Sequence, residues 1–111
     1  MGIDYCFMNL PFNIGLKLHS SNTEFVKDAL YLWKNNAFQY IELYIIPGTY
    51  SDTIESWKEC KENDIPYVLH AAHSYHGINF ADPMHFEKNC TLFKEVQQFA
   101  NILGVDTIIV H

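Results

Sequence analysis

Residues 40–48 read YIELYIIPG. The first seven are mostly β-branched or aromatic, a run short enough for one buried strand, and Pro47 with Gly48 closes it with a turn. Upstream, Phe25, Val26, Ala29, Leu30 and Trp33 recur at the spacing of a buried helical face. With Ser20, Ser21 and Asn22 as candidate N-caps, this predicts a helix over 22–35, ending near Asn35 and Asn36. A strand over 14–18 (IGLKL) precedes it. Downstream, Ser51 can cap a helix over 51–63 whose inner face is Ile54, Trp57 and Cys60. Pro66 leads into a strand over 67–71 (YVLHA), where its missing N–H does little harm to a ladder. After a polar loop, Asp82 and Pro83 form an N-cap and N1 pair for a helix over 83–103, with Phe86, Phe93, Val96, Phe99, Ala100 and Leu103 as its buried stripe and Gly104 at C′. A strand over 105–111 (VDTIIVH) ends the pattern.

Strands joined through helices run parallel, and a near-continuous apolar strand such as 40–46 has both faces covered. Two architectures satisfy this: an open doubly wound sheet, or part of a closed barrel. The first strand-to-helix turn lacks the GxGxxG loop of a dinucleotide-binding sheet, and polar residues follow several different strands, as at the catalytic rim of a barrel. The fold class expected is therefore α/β, with parallel (β/α) units forming the N-terminal half of a TIM barrel as a single domain over 1–111. Such a barrel needs about 200–250 residues. The remainder is expected to lie beyond this chain, on another polypeptide, or to be replaced by self-association through open sheet edges.

With 49% hydrophobic residues the chain can bury a core and does not read as disordered. The formal net charge of −6 repels phosphate-rich partners and argues against nucleic acid. Asp4 stands where a signal peptide would carry Lys or Arg, and no window reaches the length of a membrane span. Cys6, Cys60 and Cys90 are odd in number with no CxxC spacing, which suits reduced thiols in the cytoplasm.

His70 ends the third strand and His111 the fourth, so in a parallel barrel both reach one rim and can converge on a metal ion. The bland alternative is a buried histidine satisfied by a backbone carbonyl. Glu42 is a carboxylate in an otherwise apolar strand, costly unless it meets a cation, a metal or donors. It is read either as a catalytic or metal-shell group in the barrel mouth or as an ion-pair partner of Lys17, and Lys17 is a candidate substrate contact. His73 and His76 lie in the loop after the third strand, where the first can move protons and the second can contact substrate. His19 and His85 are less well placed, Asn79 and Asp82 set the loop and cap the helix, and Trp33 and Trp57 belong to the core.

Together, IGLKL, YIELYIIPG, PYVLHAAHSYHGINFAD and VDTIIVH resemble the xylose isomerase-like barrels, a family that includes sugar phosphate isomerases and epimerases and the endonuclease IV group. The stretch from His70 to Asp82 carries the most specific part, with Ala72 where the family has proline and extra residues before Asn79, so either His70 or His73 occupies the ligand position. The resemblance implies a divalent metal (Zn, Mn or Mg) with His70 or His73 and His111 among its ligands. It also implies a small polar carbohydrate substrate and the activity of a metal-dependent sugar or sugar-phosphate isomerase or epimerase. An endonuclease IV-like phosphodiesterase acting on abasic DNA, and a non-catalytic half-barrel that self-associates, are the other readings. In the isomerases most metal ligands come from later strands, so the 111 residues alone are expected to be inactive.

Overall fold

Alternation along each strand divides its side chains between two faces, and the sequence loads one face with apolar residues. The computed structural model describes residues 13–72 and 83–110. Strand β1 (Gly15–His19) leads through a 3₁₀ turn (Thr23–Phe25) into helix α1 (Val26–Lys34). Strand β2 (Tyr40–Ile45), helix α2 (Tyr50–Glu62) and strand β3 (Tyr67–Ala71) follow. A second 3₁₀ turn (Pro83–His85) then opens helix α3 (Phe86–Leu103), and strand β4 (Ile108–Ile109) completes the order.

The four strands form one parallel sheet in the order β1-β2-β3-β4. Strand order that never reverses is what separates a barrel from a doubly wound sheet, where the order doubles back and helices cover both faces. Here α1, α2 and α3 all pack on one face: Leu16, Leu18, Ile41, Leu43, Ile45, Tyr67, Leu69, Ala71 and Ile108 share a single core with Val26 and Ala29, with Ile54, Trp57 and Cys60, and with Val96, Phe99 and Leu103. The register makes those strand residues mutual neighbours, Leu18 beside Leu43 beside Leu69 beside Ile108. This is the architecture of half a (β/α)8 barrel, with the helices outside. No helix among the described residues is long and apolar enough to cross a membrane.

The helix ends follow backbone chemistry, with some departures from the sequence pattern. Asn36 and Asp64, just beyond α1 and α2, take the left-handed conformation, and Gly104 does so at the end of α3 with φ 67°. A side chain at residue 104 would also press on Lys61, so glycine is favoured there twice over. Ser51 is not a cap: α2 begins one residue earlier, at Tyr50, with Thr49 as N-cap. The buried stripe of α3 starts later than the phenylalanines suggested, because Phe86 is largely exposed while Asn89, Val96, Phe99, Ala100 and Leu103 are buried. Phe25 is also exposed, since the first turn after β1 is 3₁₀ and displaces it from the α1 face that buries Val26 and Ala29. Residues 105–107 lead into β4 without belonging to it, because the Val105 N–H turns back to the Ala100 carbonyl.

Under α2 lies a polar pair inside the core. The Tyr67 hydroxyl donates to the Trp57 carbonyl at 2.7 Å, next to the Cys60 thiol. Burial pushes the pKa of both groups up, Tyr67 far above its ordinary 10.0 and Cys60 above its ordinary 9.0. For each group the folded chain holds its proton at a pH where the unfolded chain has lost it, so the unfolded state binds fewer protons and stability falls as pH rises. The decline starts as pH passes about 9 and steepens through 10, approaching about 1.4 kcal/mol per pH unit once the Tyr67 phenol is fully engaged. Urea midpoints measured from pH 7 to 11 are expected to fall in this window, and Tyr67→Phe is expected to flatten the part above pH 10. A wild-type midpoint that stayed constant through pH 11 would contradict the burial of the phenol.

Candidate functional site

The opposite face of the sheet carries the polar residues in rungs, and near its top Tyr44 and Ala72 pack with Ile46 and with Leu92 of α3. Gly15 stands beside Tyr40; Lys17 beside Glu42 beside Val68; and His19 beside Tyr44 beside His70 beside Ile109. Successive rungs are two residues apart, about 6.6 Å along the strands. The lowest is an apolar floor: the Tyr40 ring lies over Gly15, and a Cβ at residue 15 would overlap that ring. The polar rungs above it approach the C-terminal ends of parallel strands, where barrels place their chemistry.

On the middle rung the Lys17 ammonium lies 3.7 Å from the Glu42 carboxylate, with the lysine side chain 62% and the glutamate side chain 24% exposed. Of the two roles open to Glu42, the ion pair with Lys17 is formed, and it is formed on the inner face. A pair this exposed contributes at most about 1 kcal/mol, so it orients Glu42 without locking it.

The top rung is a row of rings. His19 and Tyr44 have ring centroids 5.0 Å apart and Tyr44 and His70 5.2 Å, both pairs tilted. Tyr44 and His70 are buried and His19 is exposed. The His70 Nδ1 lies 2.8 Å from the Ala71 carbonyl oxygen. A carbonyl can only accept, so Nδ1 carries the proton, and in the neutral ring the lone pair sits on Nε2, the arrangement that suits an imidazole metal ligand. The Ala71 bond is also the backbone satisfaction expected of a purely structural histidine. Tyr44 separates the two imidazoles of the row, so His19 and His70 do not share one ion.

The tops of β1 and β2 are fixed by Ser20, which is fully buried. Its N–H donates to the Tyr44 carbonyl at 2.8 Å, and its carbonyl accepts from Trp57 Nε1 at 2.9 Å. Its Oγ accepts from the Ile46 N–H at 2.7 Å and lies 2.7 Å from Thr49 Oγ1. The Thr49 hydroxyl donates to the Ile46 carbonyl, so its single proton is placed and the Ser20 hydroxyl must be the donor to Thr49. From outside, the Glu95 carboxylate on α3 accepts from the Gly48 N–H at 2.9 Å and the Tyr50 N–H at 3.0 Å, closing the start of α2 with a negative charge at a helix N-terminus. Glu95→Ala is expected to lower the unfolding free energy by about 1 kcal/mol in urea with an unchanged m-value. No loss would mean the two amides are as well served by water.

No protein-family model, curated protein or solved structure matches this chain.

Of the residues singled out from the sequence, Lys17, Glu42 and His70 share the inner face, Lys17 and Glu42 in contact and His70 diagonal to Glu42 on the next rung. The residue registered beside His70 on β4 is Ile109. His73, His76 and His111 lie outside the described residues, as do Asn79 and Asp82. Among the described residues no three His, Cys, Asp or Glu side chains gather closely enough to hold a metal. Tyr44 and the better placement of His19 were missed in the sequence. The signal was the period of two: Tyr44 follows Glu42, and His19 follows Lys17, by two residues on the same strand.

Proposed function

We propose that this chain provides the substrate-binding and part of the metal-binding rim of a metal-dependent sugar or sugar-phosphate isomerase or epimerase resembling the xylose isomerase-like barrels. The observation that supports it is the convergence of an ion-paired carboxylate, an ammonium and a row of imidazole and phenol rings on the inner face, near the C-terminal strand ends of a half-barrel. The free thiols of Cys60 and Cys90 fit a reducing compartment, and we place the protein in the cytoplasm.

His70 is the candidate for one position of a divalent metal shell, its ring oriented by the Nδ1 hydrogen bond to the Ala71 carbonyl. His111 and His73 are the candidates for further positions. A bound Zn, Mn or Mg ion supplies polarisation of a carbonyl and its neighbouring hydroxyl. The chain's own groups supply the rest. Glu42 can accept a proton at a carboxylate oxygen, and Lys17 beside it on β1 orients that carboxylate on the inner face. Tyr44 packs His70 from the side and fixes its ring.

The test is a titration of the whole protein with Mn²⁺, read by paramagnetic broadening of the histidine ring resonances. Broadening centred on His70 and reduced about 10- to 100-fold in apparent affinity by His70→Ala is expected. Assays of aldose–ketose and epimer interconversion are expected to show activity that chelator removes and Glu42→Gln lowers about 100-fold or more. Broadening centred away from His70 would overturn the proposal.

A further inference from the structure

His19 is exposed at the end of β1, and both of its backbone groups are hydrogen-bonded. Its N–H donates to Asn22 Oδ1 at 3.2 Å, its carbonyl accepts from the Asn22 N–H at 2.9 Å, and the next residue is the fully buried Ser20 clasp. The ring leans on Tyr44, itself backed by His70. An exposed imidazole whose backbone is hydrogen-bonded and whose ring is held on one side by Tyr44 is preorganised for a contact beyond the chain. Two residues below it on the same strand and face stands the Lys17 ammonium, 62% exposed and only loosely paired with Glu42. The β1 side of the mouth therefore carries the N–H donors of an imidazole and an ammonium, while the single carboxylate of these rungs, Glu42, is more covered and sits on β2.

We propose that His19 and Lys17 form an oxyanion-binding wall, on which the anionic group of the substrate, a phosphate monoester or a carboxylate, is seated. The inference rests on the reading of this face as a substrate mouth, and narrows the substrate class from neutral sugars to anionic ones. Glu42 opposes an anion at the middle rung, so the anion is seated at His19 with Lys17 reaching upward to it. Donors on a fixed strand suit this role because an oxyanion takes several charge-assisted hydrogen bonds at once.

The experiment is a titration of the whole protein, uniformly labelled with ¹³C and ¹⁵N, with inorganic phosphate in one arm and acetate in another. Sodium chloride at matched ionic strength is the control. Saturable shifts of the His19 ring and the Lys17 side chain in either arm support the wall, and shifts in the phosphate arm alone assign it to a phosphate ester. His19→Gln and Lys17→Met, both at exposed positions, are each expected to weaken the apparent affinity about tenfold, the loss of one charge-assisted contact. Shifts no larger than in chloride, or unchanged by both substitutions, would overturn the inference. The Mn²⁺ titration of His70 is read on a different strand without any anion, so failure there overturns the isomerase reading while leaving this result standing, and the reverse also holds.

Discussion

Trp57→Ala is expected to lower the unfolding free energy by about 3–5 kcal/mol, the range for deleting a large buried ring. Trp57 has no exposed surface and sits on α2 within the core shared by the helices and the strands. Its loss removes dispersion contacts and leaves a cavity that a sheet pinned by parallel ladders cannot collapse into. A polar cost adds to this, because Nε1 donates to the Ser20 carbonyl at 2.9 Å inside the fold. A domain of this size has about 5–15 kcal/mol in total, so the variant is expected to be marginal at 37 °C. Trp57→Phe separates the two terms. It keeps most of the apolar volume while losing the indole N–H, so a cost of about 1–2 kcal/mol is expected, from the unserved carbonyl together with a small residual cavity. Urea unfolding of both variants measures the difference, and a loss under about 1 kcal/mol for Trp57→Ala would be incompatible with a ring packed on all sides.

That sensitivity is tied to what the sequence made visible. The spacing of Ile54, Trp57 and Cys60 marks one helical face, and all three are buried. The run 40–46 announces a strand because its β-branched and aromatic residues favour an extended chain covered on both sides. Local pattern carries such features, since each depends on neighbours within a turn or a strand. The top rung was harder to read. Tyr44 in YIELYII is chemically indistinguishable from a core residue until the register sets it between His19 and His70, and register is a property of pairs of strands. Glu42 stood out because a charge in an apolar run demands a partner, and Lys17 supplied one.

Ser20 shows the same limit. Its residue type and place before a helix suggest an N-cap, yet its hydroxyl serves Ile46 and Thr49, twenty-six and twenty-nine residues away. No local pattern encodes a bond of that span. Ser20→Ala is therefore expected to cost about 1–2 kcal/mol, because it leaves the part-buried Ile46 N–H without its acceptor. Thr49→Val removes the hydroxyl that both accepts from Ser20 and donates to the Ile46 carbonyl, and is expected to cost a similar amount. The two losses touch one network, so a double-mutant cycle is expected to give a coupling of about 0.5 kcal/mol or more. Additive losses would mean that the two hydroxyls act separately. The functional consequence follows from position: His19 precedes Ser20, and Ser20 N–H holds the Tyr44 carbonyl, so loosening the clasp frees both ends of the first ring contact. Ring-current shifts on His19 are expected to shrink in Ser20→Ala under conditions where the variant remains folded, linking a buried hydroxyl to the geometry of the mouth.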